Sequence, residues 1–528
     1  MDILLPWLGL TLALASASSA WAFAPPSIVY RVDDHTDIFN LTTVGGELCF
    51  FVRHVPPGAD TAQSDIFCSA RSADSRLLAK LPENVEPSWS VGVGDVLLFL
   101  ALEPDQVRTP MLWRSAIDGS GAIRVPELTD VRGPLLAQDG AAYVARAAPS
   151  AALPALWRTD GTPAGSQALF VLPISAWQKA GTFGDGLWFQ DFGGDVFVTD
   201  PGVSHIEQVL NPSGQFIGSV ATPNALYSIF LNGGRSEVWR SDGFVGGSSL
   251  VASHPAPYPL VFGQVRESGG RTYYTAYDDE LHWTLWVDDG SSNGRPLSAT
   301  ATPPMCSDHH IFGRICFQTG LFIVGSVNDR LLFQLDTTTW LTDGTVDGTV
   351  PLGDFSVVDG VEMNGTWFFA RPRSGSESVY EFWATDGTLV GTVRVGDLPG
   401  QPSGFTPAGN RLFFLAARSL FTLEVPCGDP ALERGAKALC DLRRLRRALT
   451  CVPGGPRVHL RKRQLHRMER LLQSALGGGR MEFLLLDQAL ARLSSRITHD
   501  ARRLGAVCAD GLLDRVSRLR ARIAGLGA

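Results

Sequence analysis

After its N-terminal segment, the chain of 528 residues has no apolar run long enough to cross a bilayer, which takes about 20 residues. It also has no nucleophile with a partnered base and no two adjacent cysteines. Catalytic residues, metal ligands, cofactors and a transmembrane span are therefore not predicted. Binding of nucleic acid is not predicted either, because no recognition motif is present.

The N-terminus has the pattern of a cleaved signal peptide. About a dozen apolar residues precede Ala20-Trp21-Ala22, an A-x-A cleavage site, so that residues 1–22 are removed. A retained anchor is the alternative, but Ser16-Ala17-Ser18-Ser19 interrupts the apolar run. The eight cysteines are an even number, which favours disulfides in an exported chain. We expect a periplasmic, cell-surface or extracellular protein.

A repeat organises residues 23–426. Its clearest copies are Leu-Trp-Arg-Thr-Asp-Gly-Thr from Leu156 and Phe-Trp-Ala-Thr-Asp-Gly-Thr from Phe382. Including degenerate copies, one aromatic residue recurs with a period near 44 residues. These repeat aromatics are Phe67, Trp113, Trp157, Phe197, Trp239, Trp286, Trp340, Trp383 and Phe421. A period of this length with several short β-rich runs is typical of a propeller blade.

The runs within a repeat predict four antiparallel strands, with Asp-Gly turns between the last two. The last repeat, LFTLEV around Phe421, has no fourth strand, whereas Ser27–Val32 is a strand without a blade of its own. We therefore expect the N-terminal strand to complete the last blade and close a ring of about nine blades. An eight-bladed ring with one misassigned repeat is the alternative.

The five clearest copies resemble the family of exported bacterial repeat proteins named for its ELWxxDGT motif. The resemblance covers residues 27–426 and is weakest in blades one, two, four and nine. It implies a propeller and leaves the activity open, because members mostly have no assigned activity.

The repeated side chains allow a structural and a functional interpretation. Exposed tryptophans could stack on sugars, and the aspartates could bind Ca²⁺. Each blade, however, must bury its faces against the next, and a calcium site needs several carboxylates from one loop. We predict packing for Trp113, Trp157, Trp239, Trp286, Trp340 and Trp383, and turn formation for Asp160, Asp242, Asp289, Asp343 and Asp386.

The cysteines are assigned to disulfides. Cys49 and Cys68 lie on paired strands of blade one and predict a cross-strand bridge. Cys306 and Cys316 predict a disulfide-closed insertion. A metal site around Asp308, His309 and His310 is less favoured, because adjacent histidines on a strand point to opposite faces. In the C-terminal part, Cys427, Cys440, Cys451 and Cys508 allow three pairings, and we favour Cys440 with Cys508 and Cys427 with Cys451.

Residues 427–528 form the second predicted domain, a small basic helical bundle linked by disulfides. This part carries 21 Lys and Arg against 9 Asp and Glu, whereas the rest of the chain carries 24 against 44. Helical spacing is shown by Leu465, Met468, Leu472 and Leu476, and again by Leu484, Leu485, Ala489 and Leu493. The basic helices could dock on the acidic propeller, bind an anionic envelope surface, or simply be solvated.

The functional prediction depends on the residues of the predicted innermost strands. The predicted innermost runs, such as FNLTTV, WSVGVG, FIGSVA and FTPAGN, are poor in carboxylates and histidines. We predict an exported, non-catalytic binding or scaffold protein whose propeller loops contact a protein or an envelope glycan. The alternative is a propeller enzyme, a glycan or ester hydrolase or lyase, with its site at the central channel.

Overall fold

The computed structural model describes residues 26–425 except 34–35, 56–60, 70–74, 104–109, 148–152, 176, 178, 212, 223–224, 256–263, 279–281, 290–293, 298–304, 310–312, 318–319, 374, 377 and 389–390. Beyond these it describes residues 468, 471, 480–504, 512–513, 516–517, 519–520 and 523. The chain divides into two compact units, one containing the strands and the other a helix.

The strands follow one another in groups of four. In chain order they are β1 (Ser27–Arg31), β2 (Thr36–Val44), β3 (Glu47–His54), β4 (Gln63–Ser69), β5 (Ser75–Lys80), β6 (Glu86–Val93), β7 (Val96–Leu102), β8 (Met111–Ala116), β9 (Ala122–Arg124), β10 (Val131–Gln138), β11 (Ala141–Arg146), β12 (Ala155–Thr159), β13 (Gln167–Val171), β14 (Lys179–Phe183), β15 (Gly186–Gln190), β16 (Val196–Thr199), β17 (Ile206–Leu210), β18 (Gln215–Ala221), β19 (Leu226–Asn232), β20 (Arg235–Ser241), β21 (Ser248–Pro255), β22 (Val265–Ser268), β23 (Arg271–Tyr277), β24 (Trp283–Asp288), β25 (Arg295–Pro296), β26 (Met305–His309), β27 (Gly313–Phe317), β28 (Leu321–Val327), β29 (Arg330–Leu335), β30 (Thr338–Thr342), β31 (Val350–Gly353), β32 (Asp359–Glu362), β33 (Trp367–Pro372), β34 (Tyr380–Thr385), β35 (Val393–Leu398), β36 (Ser403–Ala408), β37 (Arg411–Ala416) and β38 (Ser419–Glu424).

Nine four-stranded antiparallel sheets form a propeller. Within a blade the strands pair in chain order, from β2-β3-β4-β5 in blade 1 to β32-β33-β34-β35 in blade 8. The first strand of each blade contacts the first strands of both neighbouring blades, from β2 through β36 and back to β2. These first strands are therefore innermost. The predicted nine-bladed ring is confirmed, and the eight-bladed alternative is wrong.

The N-terminal strand closes the ring, as predicted. Blade 9 has the order β1-β38-β37-β36, so that β1 supplies its outermost strand. Ser27 stands opposite Thr422, and Ile28 stands opposite Phe421. Tyr30 also packs on Phe50 and Phe67 of blade 1, with ring centroids 5.6 and 4.9 Å away. The two ends of the ring are thus joined by backbone pairing and by aromatic contacts.

Outer strands carry a bulge opposite the repeat aromatic. In blade 5, Val238 pairs with Ala252, but the next residue, Trp239, pairs with Leu250. The extra residue, Val251, is thereby buried instead of lying on the outer surface. Leu78 and Leu352 are placed in the same way in blades 1 and 7. A bulge turns one extra side chain toward the core, which explains the two adjacent apolar residues in these outer strands.

Helix α1 (Arg480–Leu504) begins directly after the predicted break at Gly477–Gly479. Its buried side chains are Leu486, Leu490, Leu493 and Ile497. Of the predicted stripe of Leu484, Leu485, Ala489 and Leu493, Leu493 is buried, whereas Leu485 is exposed and the side chain of Leu484 lies outside the described residues. Three consecutive leucines allowed two phases that differ by one residue. No described helix is both long and apolar enough to cross a membrane.

The unit that contains α1 has further buried residues. Met468, Leu512, Val516, Leu519 and Ile523 are buried, and the last four recur at helical spacing. Arg520 donates two hydrogen bonds to the carboxylate of Asp487 on α1, at 2.7 and 3.0 Å. The other helices and the four cysteines predicted for this region lie outside the described residues.

Candidate functional site

The propeller has two faces with different connections. Successive turns of an antiparallel sheet alternate between its ends. The first-to-second and third-to-fourth connections therefore lie on one face, and the remaining connections lie on the other. The repeat Asp-Gly loops join third and fourth strands, so they lie on the first face, which we call the repeat-loop face. The hairpin of β26 and β27 lies between blades 6 and 7 on the opposite face.

The repeat aspartates organise their own loops. Asp160 Oδ1 accepts hydrogen bonds from the backbone N–H of Thr162 at 2.8 Å and from its hydroxyl at 2.7 Å. Asp343 Oδ1 accepts the same pair from Thr345, at 2.9 and 2.7 Å. Asp242 accepts one from the backbone of Phe244 at 3.0 Å. Asp386 is buried, and Asp289 precedes Gly290, which lies outside the described residues.

The loop motif is longer than Asp-Gly-Thr. The hydroxyl of Thr345 accepts a hydrogen bond from the N–H of Gly348 at 2.9 Å, and the hydroxyl of Thr349 donates to the carbonyl of Thr345 at 2.6 Å. Any side chain at Gly348 would overlap the carboxylate of Asp343. The same close approach of the second Gly to the Asp recurs in DGTPAGS from Asp160 and, with Phe244 in place of the Thr, in DGFVGGS from Asp242. The repeat is therefore Asp-Gly-Thr-x-x-Gly-Ser/Thr, and its second half was visible in the sequence but missed.

Hydrogen bonding lowers the pKa of Asp160 and of Asp343. The side chain and backbone of Thr162 hold the pKa of Asp160 below 3.8. Burial raises the pKa of Asp343, but the hydrogen bonds from Thr345 and the charges of Arg330 and Arg271 outweigh it, so that its pKa also lies below 3.8. The charged carboxylate is thus the form that the folded loop holds.

Replacing Thr345 by valine removes a hydrogen bond to that carboxylate. A carboxyl group with a lowered pKa in the folded state stabilises the protein above its unfolded pKa, and this contribution is lost as the pH falls through the folded-state value. We expect Thr345→Val to cost roughly 1 kcal/mol at neutral pH and less in acid strong enough to protonate the Asp343 carboxylate of the folded protein. Urea unfolding at both pH values measures this. In a protein that already carries Asp343→Asn, the cost of Thr345→Val should be the same at both pH values. Without that substitution, an equal cost at both pH values would contradict this account.

Three of the repeat loops are hydrogen-bonded to the preceding blade. Arg114 of blade 2 donates to the carbonyl of Gly161 in blade 3 at 3.4 Å. Asn328 of blade 7 donates to the carbonyl of Asp386 in blade 8 at 2.9 Å. Arg271 of blade 6 donates to the carbonyl of Asp343 in blade 7. The loops therefore join neighbouring blades.

The repeat tryptophans pack between blades. Trp113 is buried in one cluster with Phe51 of blade 1 and Phe99 of blade 2. The others are partly buried, each against a cluster shared by its own blade and the preceding one: Trp157, Trp239, Trp286, Trp340 and Trp383. Arginines cover three of the indoles, with Arg371 4.5 Å from the ring centre of Trp383.

One predicted disulfide is confirmed. Cys49 and Cys68 are bonded across β3 and β4, and both are fully buried. Cys306 and Cys316 stand directly opposite each other in the backbone register of β26 and β27. The side chains of that hairpin, including Asp308 and His309, lie outside the described residues, as does His310, so the insertion disulfide stays a prediction.

The innermost strands carry several charged residues, two of which form ion pairs. Asp37 and Glu86 pair with Arg418 and Arg53, at 3.7 and 3.2 Å. Burial lowers the pKa of Arg266, which lies over the ring of Trp367 at 5.9 Å. Burial also raises the pKa of Asp359, partly offset by the N–H of Gly360. The remaining charged residues of these strands are Arg132, Lys179, Glu267 and Glu362.

Among the described residues, no group of three His, Cys, Asp or Glu side chains is placed to hold a metal ion. Asp160, Asp242 and Asp343 each use the carboxylate to accept hydrogen bonds from their own loop. The observed geometry is that of a turn.

Comparisons with known proteins find only distant similarities to solved structures. No protein-family profile and no curated protein matches the chain. The computationally designed Ika8 protein is similar over 76% of this chain and 99% of its own, with 10% identity and a TM-score of 0.39. BamB from Moraxella catarrhalis is similar over 64% and 95%, with 12% identity and a TM-score of 0.35. Acylaminoacyl peptidase from Pyrococcus horikoshii is similar over 66% and 58%, with 11% identity and a TM-score of 0.31. Similarities this distant assign neither activity nor partner.

Proposed function

We propose that the chain is an exported, non-catalytic binding or scaffold protein whose propeller loops hold a protein partner. The repeat loops carry this proposal. Their Asp, Gly and Thr residues are fixed by hydrogen bonds, whereas the two variable positions between Thr and the second Gly point outward. In blades 5 and 7 these loops expose the variable residues Val245 and Val346, by 64% and 59%, and also Phe244, which replaces the Thr of the motif in blade 5 and is exposed by 68%.

Exposed large apolar residues on a rigid frame suit recognition of a protein. Loops held at both ends lose little conformational freedom on binding, so that less of the contact energy is spent on ordering. Apolar side chains grouped on one face mark interaction sites more often than isolated ones do. An envelope glycan is the competing partner, and a channel enzyme is the competing function. The latter needs titratable groups that converge from several blades, whereas Asp37 and Glu86 are already paired.

The test is capture of a partner from envelope extract. We expect the wild type to retain a partner that the triple variant Phe244→Ser, Val245→Ser, Val346→Ser loses. Val171→Ser is the matched control, because Val171 is equally exposed, by 61%, but lies on an outer strand. If the triple variant retains every partner, or if glycosidase treatment of the extract removes the capture, the proposal is wrong.

The basic C-terminal part has a separate role in this proposal. With 21 basic against 9 acidic residues, it would attach the protein to an anionic envelope surface. A chain that ends at residue 426 should then lose binding to anionic vesicles and keep the protein partner. Retention of vesicle binding by the shortened chain would exclude these residues as the anchor.

A further inference from the structure

One tryptophan outside the repeat is exposed on an innermost strand. Trp89 lies in the middle of β6, the first strand of blade 2, and is 55% exposed. Every other tryptophan in the described part of the chain is buried or half-buried, as is usual for this residue. The innermost strands of a propeller line its central channel. Because Trp89 is well away from both ends of its strand, its exposed surface faces that channel.

A β-bulge redirects this side chain. Two residues of β6, Ser88 and Trp89, stand opposite the single residue Leu100 of β7. The hydroxyl of Ser88 donates to the carbonyl of Leu100 at 3.1 Å, so that the bulged strand stays attached to its neighbour. Bulges are common beside functional sites, where they turn one side chain in a new direction. In blade 2 that side chain is the exposed indole.

Blade 1 fixes the residues on either side of Trp89. The amide nitrogen of Asn40 donates to the carbonyl of Ser88. The hydroxyls of Thr42 and Ser90 are hydrogen-bonded to each other. The backbone that carries the indole is therefore held on both sides of the bulge.

Blade 3 fixes the ring itself. The six-membered ring of Trp89 occupies the space in which a side chain of residue 133 would stand, and Gly133 on the innermost strand β10 leaves that space open. The indole thus rests on the backbone of blade 3, and the rest of its surface is open to the channel. An aromatic surface that is already held in place loses little conformational freedom when a ligand binds.

The surroundings of the indole suit a sugar. The residues that flank Trp89 on β6 and hold it from β2 are polar and half-buried: Asn40, Thr42, Ser88 and Ser90. An apolar peptide segment would place these polar groups against an apolar surface. A pyranose ring has an apolar C–H face, which stacks on an aromatic ring, and hydroxyl groups around its edge, which suit polar neighbours.

The charge of the propeller disfavours an anionic ligand. Residues 1–426 carry 24 Lys and Arg against 44 Asp and Glu. Arg132, the charged residue of β10, donates to the carbonyl of Ser175 at 3.2 Å, and Arg53 pairs with Glu86 at 3.2 Å. Both arginines thus have partners within the propeller, and the net charge repels a polyanion from a distance. A neutral glycan fits this channel better than a nucleic acid or an acidic glycan does.

We infer that Trp89 forms a stacking site for one pyranose ring of a neutral glycan in the central channel. The C–H face of the sugar would lie on the indole, and its hydroxyls would point to water and to the polar residues of blades 1 and 2. This site lies on the channel wall, whereas the repeat loops lie on one face of the ring. Glycan binding here goes beyond the protein partner proposed above and does not depend on it.

Titration calorimetry of the full chain with maltohexaose, cellohexaose and the hexasaccharide of N-acetylglucosamine tests this site. At least one of these neutral sugars should bind the wild type. Trp89→Ala should weaken that binding by about tenfold or more, and Trp89→Phe, which keeps a smaller ring, should weaken it less. Gly133→Ala should weaken it as well, because the methyl group displaces the indole from blade 3. Phe192→Ala is the matched control, because Phe192 is exposed by 71% but lies in the connection between β15 and β16.

Urea unfolding of each variant separates a binding role of the indole from a structural one. Because the ring is largely exposed, Trp89→Ala should keep most of the wild-type stability. Failure of all three sugars to bind the wild type would overturn the inference, and so would unchanged binding by Trp89→Ala and Gly133→Ala. If Trp89→Ala does not fold, Gly133→Ala and Trp89→Phe decide.

Two further measurements distinguish this site from its alternatives. Tighter binding of hexagalacturonate or of a six-nucleotide oligothymidylate than of the neutral sugars would contradict a neutral glycan. Capture of a protein partner from envelope extract should be the same for Trp89→Ala and the wild type, so that the channel site and the repeat loops are tested separately.

Discussion

Replacing Gly348 by alanine is expected to destabilise the propeller by about 2 kcal/mol, because the methyl group would overlap the carboxylate of Asp343. That carboxylate cannot move without losing both hydrogen bonds from Thr345. Urea unfolding of the variant and the wild type measures the difference. Gly396→Ala is the control, because the nearest atom to its new methyl group, Cδ of Pro26, lies at an ordinary contact distance of 3.6 Å.

A double-mutant cycle isolates this contact. Asp343→Ala alone should also be destabilising, since it removes the acceptor of the loop. In the double variant the alanine at 348 no longer meets a carboxylate, so the combined cost should be smaller than the sum of the two single costs. Additive costs would mean that the second glycine of the motif serves some other purpose than close approach to the aspartate.

A disulfide between positions 27 and 422, introduced by Ser27→Cys and Thr422→Cys, is expected to stabilise the ring by more than any substitution described above destabilises it. Ser27 and Thr422 stand opposite each other where β1 pairs with β38. Cross-strand Cα distances of 4.5–5.5 Å suit a disulfide. The hydroxyl of Thr422 is buried without a hydrogen-bond partner among the described residues, so its loss costs little. Linking nearly the whole ring should contribute about 6 kcal/mol in the chain-entropy account. Urea unfolding under oxidising and reducing conditions measures the gain.

The sequence predicted the repeating part of the fold well. The repeat aromatics marked all nine blades, because each blade buries one such side chain against its predecessor. The unpaired strand Ser27–Val32 and the missing fourth strand of the last repeat predicted the closure. Cys49 and Cys68 were predicted as a bridge because they lie on neighbouring strands of one blade. Each of these inferences needs only a period or a pairing, and no exact register.

What the sequence did not predict depends on register to within one residue. The run WSVGVG was recognised as an innermost strand, but only its pairing with β7 identifies the bulge at Trp89. A shift of one residue would place it on the other face. Leu485 was predicted on the apolar stripe of α1 but is exposed, for the same reason, since Leu484 to Leu486 fit two stripes. The bulges in the outer strands shift the pairing register by one more residue, and the alternation of apolar and polar residues in the sequence does not reveal this shift.

The repeat itself changes in meaning once the structure is known. Trp-x-x-Asp-Gly-Thr suggests a row of binding sites, yet the indoles lie between blades and the aspartates accept hydrogen bonds from their own loops. The motif thus holds the ring together. The positions that remain for function are those that the motif leaves variable, such as Val245 and Val346, or that depart from it, such as Phe244.

The central claim is that nine blades form one ring that the N-terminal strand closes. Peptide mapping of the oxidised Ser27→Cys, Thr422→Cys variant by mass spectrometry tests it most directly. The account predicts a peptide pair joined through positions 27 and 422, and no such link in the Ser27→Cys, Thr406→Cys control, whose second position lies on the innermost strand of the same blade. Absence of the first link, or equal linking in both variants, would contradict a ring closed by β1.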